Sequence, residues 1–189
     1  MSTRDAWIEE GLRILAEQGA PGVRTDRIAA RLGLTKGSFH HHFAGAPDFR
    51  RAVLGAFEER SAAALAGVVA EATDRSPADA LALLGERATD LLDQPLETAV
   101  RAWAFQDDDA RAAMARVDRA RYEALEAMWT GLVDDPADAR TAALLPHLVV
   151  IGATMALPAI DRADLSRLFD LLVRLVPYTD AEFGGTTAD

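Results

Sequence analysis

Apolar residues recur along this chain at helical spacing and nowhere in strict alternation, so the pattern predicts an all-α protein. In a first segment, about Arg4 to Gln18, Ile8, Leu12 and Leu15 share one face, and Gly19 supplies a left-handed stop. The run GAPG, Gly19 to Gly22, makes a turn. Thr25 reads as the N-cap of a short helix, Asp26 to Leu32, with Ile28, Ala29 and Leu32 on one side and Gly33 at its end. Thr35 caps a second short helix, Lys36 to His42. Two helices joined by about three residues form a helix-turn-helix.

Longer helices follow. Pro47 starts one that reaches about Ala72, with Phe49, Val53 and Phe57 at i, i+4 and i+8. The signature SPAD, Ser76 to Asp79, opens another running to about Leu92; Pro95 to Phe105 is shorter and Asp107 to Val133 long. DPAD, Asp135 to Asp138, repeats the starting signature ahead of a stretch that Pro146 should kink, and Asp161 caps a last helix through Val176. The expected organisation, about nine helices in all, is a helix-turn-helix domain over residues 1–46 and a helical body over 47–178. A disordered tail is expected over 179–189.

The 189 residues suffice for a substantial core, and half of them are hydrophobic. With no cysteine, neither a disulfide nor a thiolate metal site is available. The charged N-terminus lacks the apolar run of a signal peptide, which points to the cytoplasm. Thr141 to Ile160 has no charged residue, yet it contains Pro146, His147 and Pro158 and lacks basic flanks; it reads as a buried or partner-facing helix, not a membrane span. Net charge is −10 and unevenly spread. Residues 1–60 hold 9 Lys+Arg against 8 Asp+Glu, and the remainder holds 11 against 22. A near-neutral head thus precedes an acidic body.

Three of the four histidines, His40, His41 and His42, stand in a row behind the only lysine, Lys36. Successive helical residues point about 100° apart, so the row does not converge on one ion, and no histidine pair has the four-residue spacing of a helical chelate. No metal, cofactor or catalytic site is expected. A helix entering the major groove needs small residues at its start, polar donors for phosphates and base edges, and an apolar side that holds it to its domain. Gly37 and Ser38 meet the first need, Lys36 and the three histidines the second, and Phe39 with Phe43 the third.

The run TDRIAARLGLTKGSFHHHF, Thr25 to Phe43, resembles the DNA-binding signature of the tetracycline-repressor (TetR) family of bacterial transcription regulators. The likeness covers about residues 5 to 57 in motifs and the rest in helix count and lengths alone. It implies that Thr25 binds phosphate and that Thr35, Lys36 and Gly37 approach bases and backbone. His40 stands where the family usually has a phosphate-binding tyrosine. The family's usual lysine before the fourth helix is replaced by Ala46, so Arg50 or Arg51 is expected to take over that contact.

The resemblance further implies a homodimer on a double-stranded DNA operator and a small-molecule effector pocket in the body. Trp103, Phe105, Met114, Tyr122, Met128 and Trp129 are the large or adaptable side chains in the helices where such a pocket lies; each also suits a core. Leu144, Leu145, Leu148, Val149, Ile151, Gly152 and Met155 spread over more than one face of the uncharged helix, as a two-fold helix bundle would use them. Arg101, Arg119 and Arg121 suit either an anionic effector or ion pairs with Asp107 to Asp109. His147 reads as a buried histidine.

The leading expectation is a ligand-responsive repressor. The alternatives are an all-helical small-molecule-binding protein or enzyme with a vestigial DNA-binding head, and a helical protein-interaction module. Against an enzyme, the chain has no Gly-x-Ser-x-Gly elbow, phosphate-binding glycine loop or His-Glu-x-x-His.

Overall fold

The computed structural model describes residues 2–87, 91 and 93–175. Every regular element among them is helical: α1 (Thr3–Gln18), a 3-10 turn (Ala20–Gly22), α2 (Thr25–Leu32), α3 (Lys36–His42), α4 (Ala46–Ala72), α5 (Pro77–Arg87), α6 (Gln94–Ala104), α7 (Asp108–Thr130), α8 (Pro136–Met155) and α9 (Arg162–Leu175). The tail expected over 179–189, the end of the last helix at Val176 and the end of the fifth at Leu92 lie outside the described residues.

Helix starts follow local hydrogen-bonding chemistry. α1 begins one residue earlier than its periodicity predicts, because Ser2 and Asp5 form a capping box: the Ser2 hydroxyl accepts from Asp5 N and the Asp5 carboxylate from Ser2 N. Thr25 is not a cap. Arg24 holds that position with extended backbone (φ −120°, ψ 132°), its carbonyl accepting from Ile28 N, so Thr25 is the first helical residue. Thr35 does cap α3, its hydroxyl accepting from Ser38 N at 3.3 Å. Gly33 closes α2 at φ 66°, ψ 27°, a left-handed conformation that other residues rarely adopt. Asp93 and Asp135 cap α6 and α8, each ahead of a proline in the first turn.

The chain divides into two compact units. The first comprises Met1–Ala64 and Leu92–Arg119, and the second Leu65–Leu91 with Ala120 onward. The expected domain boundary at 46/47 therefore falls at the start of α4, within the first unit.

The first unit has one continuous core. α1 packs on both α2 and α6. Trp7, Leu12, Ile14, Leu15, Ile28, Phe49, Val53 and Val100 are almost wholly buried. Phe39 and Phe43, the apolar side of α3, enter an aromatic cluster: Phe39 meets Trp7 edge-on at 5.3 Å and Phe49 at 5.6 Å between ring centroids. Gly11 lets α1 approach α4 closely, since a Cβ there would lie 2.7 Å from Val53 Cγ2 and 2.9 Å from Phe49 Cζ. Arg31 of α2 reaches back to Glu10 and Glu17 of α1, fastening the first helix of the helix-turn-helix to the unit. A buried ion-pair cluster joins α6 to α7, where Arg101 pairs with Glu97 and Asp118 and not with Asp107 to Asp109. Burial opposes the Arg101 charge, but the Asp118 hydrogen bond and the carboxylates of Asp118 and Glu97 outweigh it and hold its pKa above the ordinary arginine value.

The second unit is built differently. Among the described residues α5 packs on α9, α9 also touches α8, and the buried apolar residues include two small clusters, with Ala153, Leu165 and Phe169 buried outside them. One holds Val68, Ala72, Ala80, Leu83 and Leu84, the other Trp129, Ala139 and Ala143. α8 continues through Pro146 as a single helix. His147 is buried, as expected, with Tyr122 edge-on to it at 6.1 Å. No described helix is long and apolar enough to cross a membrane.

Candidate nucleic-acid interface

The residues singled out in the helix-turn-helix come together on and around α3. Its buried side is Phe39, with Phe43 immediately beyond as its C-cap. Thr35, Lys36, Gly37, His40 and His41 are exposed; Ser38, His42 and Thr25 are half-buried. The ring of His40 lies 5.4 Å from Phe39 and that of His42 6.4 Å from Phe43, so both imidazoles flank the aromatic anchor. Among the described residues no cluster of three or more His, Asp or Glu is arranged to hold a metal ion.

Gly37 is informative because the fold does not require it. A Cβ added there would meet only Thr35 Oγ1, at 3.6 Å, and its φ is not in the left-handed region. A glycine inside a helix costs about 1 kcal/mol relative to alanine. Its small size leaves the start of α3 open to close approach from outside. Lys36 beside it forms no ion pair among the described residues.

Of the two arginines expected to replace the family's lysine, Arg51 lies 3.7 Å from Asp48 of the same helix, whereas Arg50 is exposed with no carboxylate partner. Sequence reasoning missed a further cation. The Arg4 guanidinium carbon sits 5.4 Å from the centroid of the Phe43 ring, next to the end of α3. Thirty-nine positions separate the two residues, and no local spacing could have signalled the contact.

The six residues considered for an effector fall into different surroundings. Trp103 and Met114 are buried in the first unit's core, and Phe105 is 73% exposed at the end of α6. Tyr122 and Met128 pack against the second-unit cluster that contains buried Trp129. The indole N–H of Trp129 is buried without a hydrogen-bond acceptor. The expected interface residues on α8 are largely open: Leu144, Leu145, Leu148 and Met155 are 40 to 57% exposed, Gly152 is exposed, and Val149 and Ile151 are half-buried. A separate cavity of about 500 Å³ in the first unit, unforeseen from sequence, is lined by Glu9, Glu10, Arg13, Arg60 and Asp93 among apolar side chains.

Residues 8–46 match the model of bacterial regulatory proteins, tetR family. A transcriptional regulator from Rhodococcus sp. Rha1 superposes with a TM-score of 0.75 at 19% identity, over 93% of this chain and 96% of that one. A TetR-family transcriptional regulator from Streptomyces coelicolor does so at 0.76 and 17% identity, over 90% and 86%. A transcriptional regulator from Saccharomonospora viridis, solved in complex with choline, gives 0.70 at 19% identity, over 89% and 92%. No curated protein matches the chain. Over residues 8–46 the chain thus matches the tetR-family helix-turn-helix, and its fold is the one these solved regulators share.

Proposed function

We propose that the protein regulates transcription, as a repressor, by binding a palindromic double-stranded DNA operator as a homodimer and responding to a small-molecule effector. The observation that carries the reading is the two-sidedness of α3. Phe39 and Phe43 are committed to the core, while Lys36, Gly37, His40 and His41 are exposed. Such a helix suits the major groove: Gly37 permits close approach, Lys36 meets a phosphate, and the histidines meet phosphates or base edges. Thr25, Thr35, Ser38 and His42 complete the contact set, and unpaired Arg50 takes the place of the family's lysine.

The open leucines of α8 support the homodimer. Exposed apolar side chains on neighbouring turns of one helix need a partner, and an identical helix related by a two-fold axis satisfies both copies. The effector part rests on Trp129, whose buried indole N–H is a donor that a ligand can satisfy, with Tyr122 and Met128 beside it. Negative charge elsewhere on the chain is largely screened beyond about 8 Å at physiological salt, so it does not oppose a local cationic strip.

Selection from a random duplex pool tests the reading, with a Lys36→Ala, His41→Ala double variant alongside. Enrichment of a palindrome by the native protein alone is the expected result. A folded native protein that enriches no sequence would end the reading and turn attention to a binding protein with a vestigial head.

A further inference from the structure

We infer that Arg4, a residue outside the helix-turn-helix, is a DNA phosphate contact that brackets α3 together with Lys36. The inference rests on the DNA-binding reading above and adds a residue to it.

It starts from the fate of the head's positive charges. Of the 9 Lys+Arg in residues 1–60, five arginines are neutralised internally. Arg13 and Arg31 pair with Glu10, Arg24 with Asp26, Arg51 with Asp48 and Arg60 with Glu9. Arg27 is held by the side-chain carbonyl of Gln18. Arg4, Lys36 and Arg50 form no ion pair among the described residues, and all three are exposed. Asp5, the carboxylate nearest to Arg4 in sequence, is turned to the Ser2 cap, whose hydrogen bonds hold its pKa below the ordinary aspartate value. The apparent near-neutrality of the head therefore hides a short list of available cations.

Position distinguishes Arg4 among them. Its guanidinium lies over Phe43, the C-cap of α3, and Lys36 is the first residue of the same helix. At 1.5 Å per residue the seven residues of α3 span about 10 Å. The major groove is about 12 Å wide. A helix of that length seated in the groove has one cation near each end, within side-chain reach of the phosphates along the groove's edges. The Phe43 contact also limits where the Arg4 side chain goes before DNA arrives, which lowers the entropy lost on binding. A phosphate contact of this kind adds affinity and fixes orientation without reading sequence.

Salt dependence is the readout, because its slope counts phosphate contacts and does not depend on the fraction of active protein. The selected duplex would be titrated at several salt concentrations with native protein, Arg4→Gln, Arg4→Lys and Lys36→Ala. The log–log slope should fall in magnitude by about 0.9 per protomer in Arg4→Gln, or about 1.8 per dimer. Arg4→Lys should keep the native slope, and the sequence enriched should be the same for all Arg4 variants. An unchanged slope in Arg4→Gln with a reduced one in Lys36→Ala would overturn the role of Arg4 while leaving α3 as the DNA reader. Equal loss in Arg4→Lys and Arg4→Gln would mean that Arg4 acts by packing on Phe43, and would also overturn it. A native protein that selects no duplex would remove both readings together.

Discussion

The first unit gathers its buried apolar side chains into one core; the second, among its described residues, leaves several large apolar side chains exposed on one helix. In the first, four aromatic rings, Trp7, Phe39, Phe43 and Phe49, interlock within one core, and ion pairs tie α1 to α2 and α6 to α7. In the described part of the second, two small apolar clusters form, Leu165 and Phe169 of α9 are buried apart from them, and Leu144, Leu145, Leu148 and Met155 are exposed on α8. The difference teaches which surface serves which partner. On the function proposed above, the first unit presents the polar side of α3 to a polyanion, whereas the exposed leucines of α8 meet a second copy of the chain.

The largest expected effect tests closure of the first unit. Phe39→Ala removes a ring that touches Trp7, Phe43 and Phe49, and should cost about 3 to 5 kcal/mol in urea unfolding, with loss of duplex binding. Leu148→Ala, 57% exposed in a single chain, should cost under about 0.5 kcal/mol in dilute monomer. Similar costs for the two would dissolve the contrast between the units. Next in size is Leu148→Glu, which places a charge on the open face of α8. It should weaken dimerisation by about 2 kcal/mol, roughly 30-fold, by light scattering against concentration. A native chain that stays monomeric at every concentration would show that the open face has some other partner.

The sequence made the helices legible because helical periodicity and caps are local. Ile8, Leu12 and Leu15, then Phe49, Val53 and Phe57, announced the buried faces of α1 and α4, and Gly33 and Thr35 marked the turn between α2 and α3. The anchor made by Phe39 and Phe43 was readable from the alternation of apolar and polar demands on α3. Contacts between distant segments were not. Gly11 reads as a weak helix former, and only the approach of Val53 and Phe49 gives it a reason. Arg31 joins α1 across 14 and 21 positions, and Arg101 finds Asp118 across 17, at separations set by packing and not by any repeat. Thr25 misled because a threonine before an apolar run looks like a cap, whereas the backbone bends one residue earlier, at Arg24. For the effector, large side chains at helical spacing serve core and pocket alike; Trp103 and Met114 went to the core.

The smallest effect expected concerns the charges that the first unit pairs on its own surface. Arg24 hydrogen-bonds Asp26 at 2.9 Å and holds its carboxyl below the ordinary aspartate value; Arg31 does the same for Glu17. A carboxylate whose pKa is lowered by folding stabilises the folded state above its unfolded pKa, about 3.9 for aspartate. That contribution is lost as pH falls through the lower folded value. The unit should therefore lose stability on acidification below about pH 4. In Arg24→Gln the loss should be smaller, since Asp26 then titrates more nearly as it does unfolded. Both groups are exposed, so the effect is modest and shrinks with added salt. Urea unfolding of the native protein and Arg24→Gln at about pH 6 and about pH 3 measures it. Identical losses in the two proteins would mean that the pair is a solvated contact without consequence for folding, and that the first unit owes its closure to the aromatic core and the buried Arg101 cluster alone.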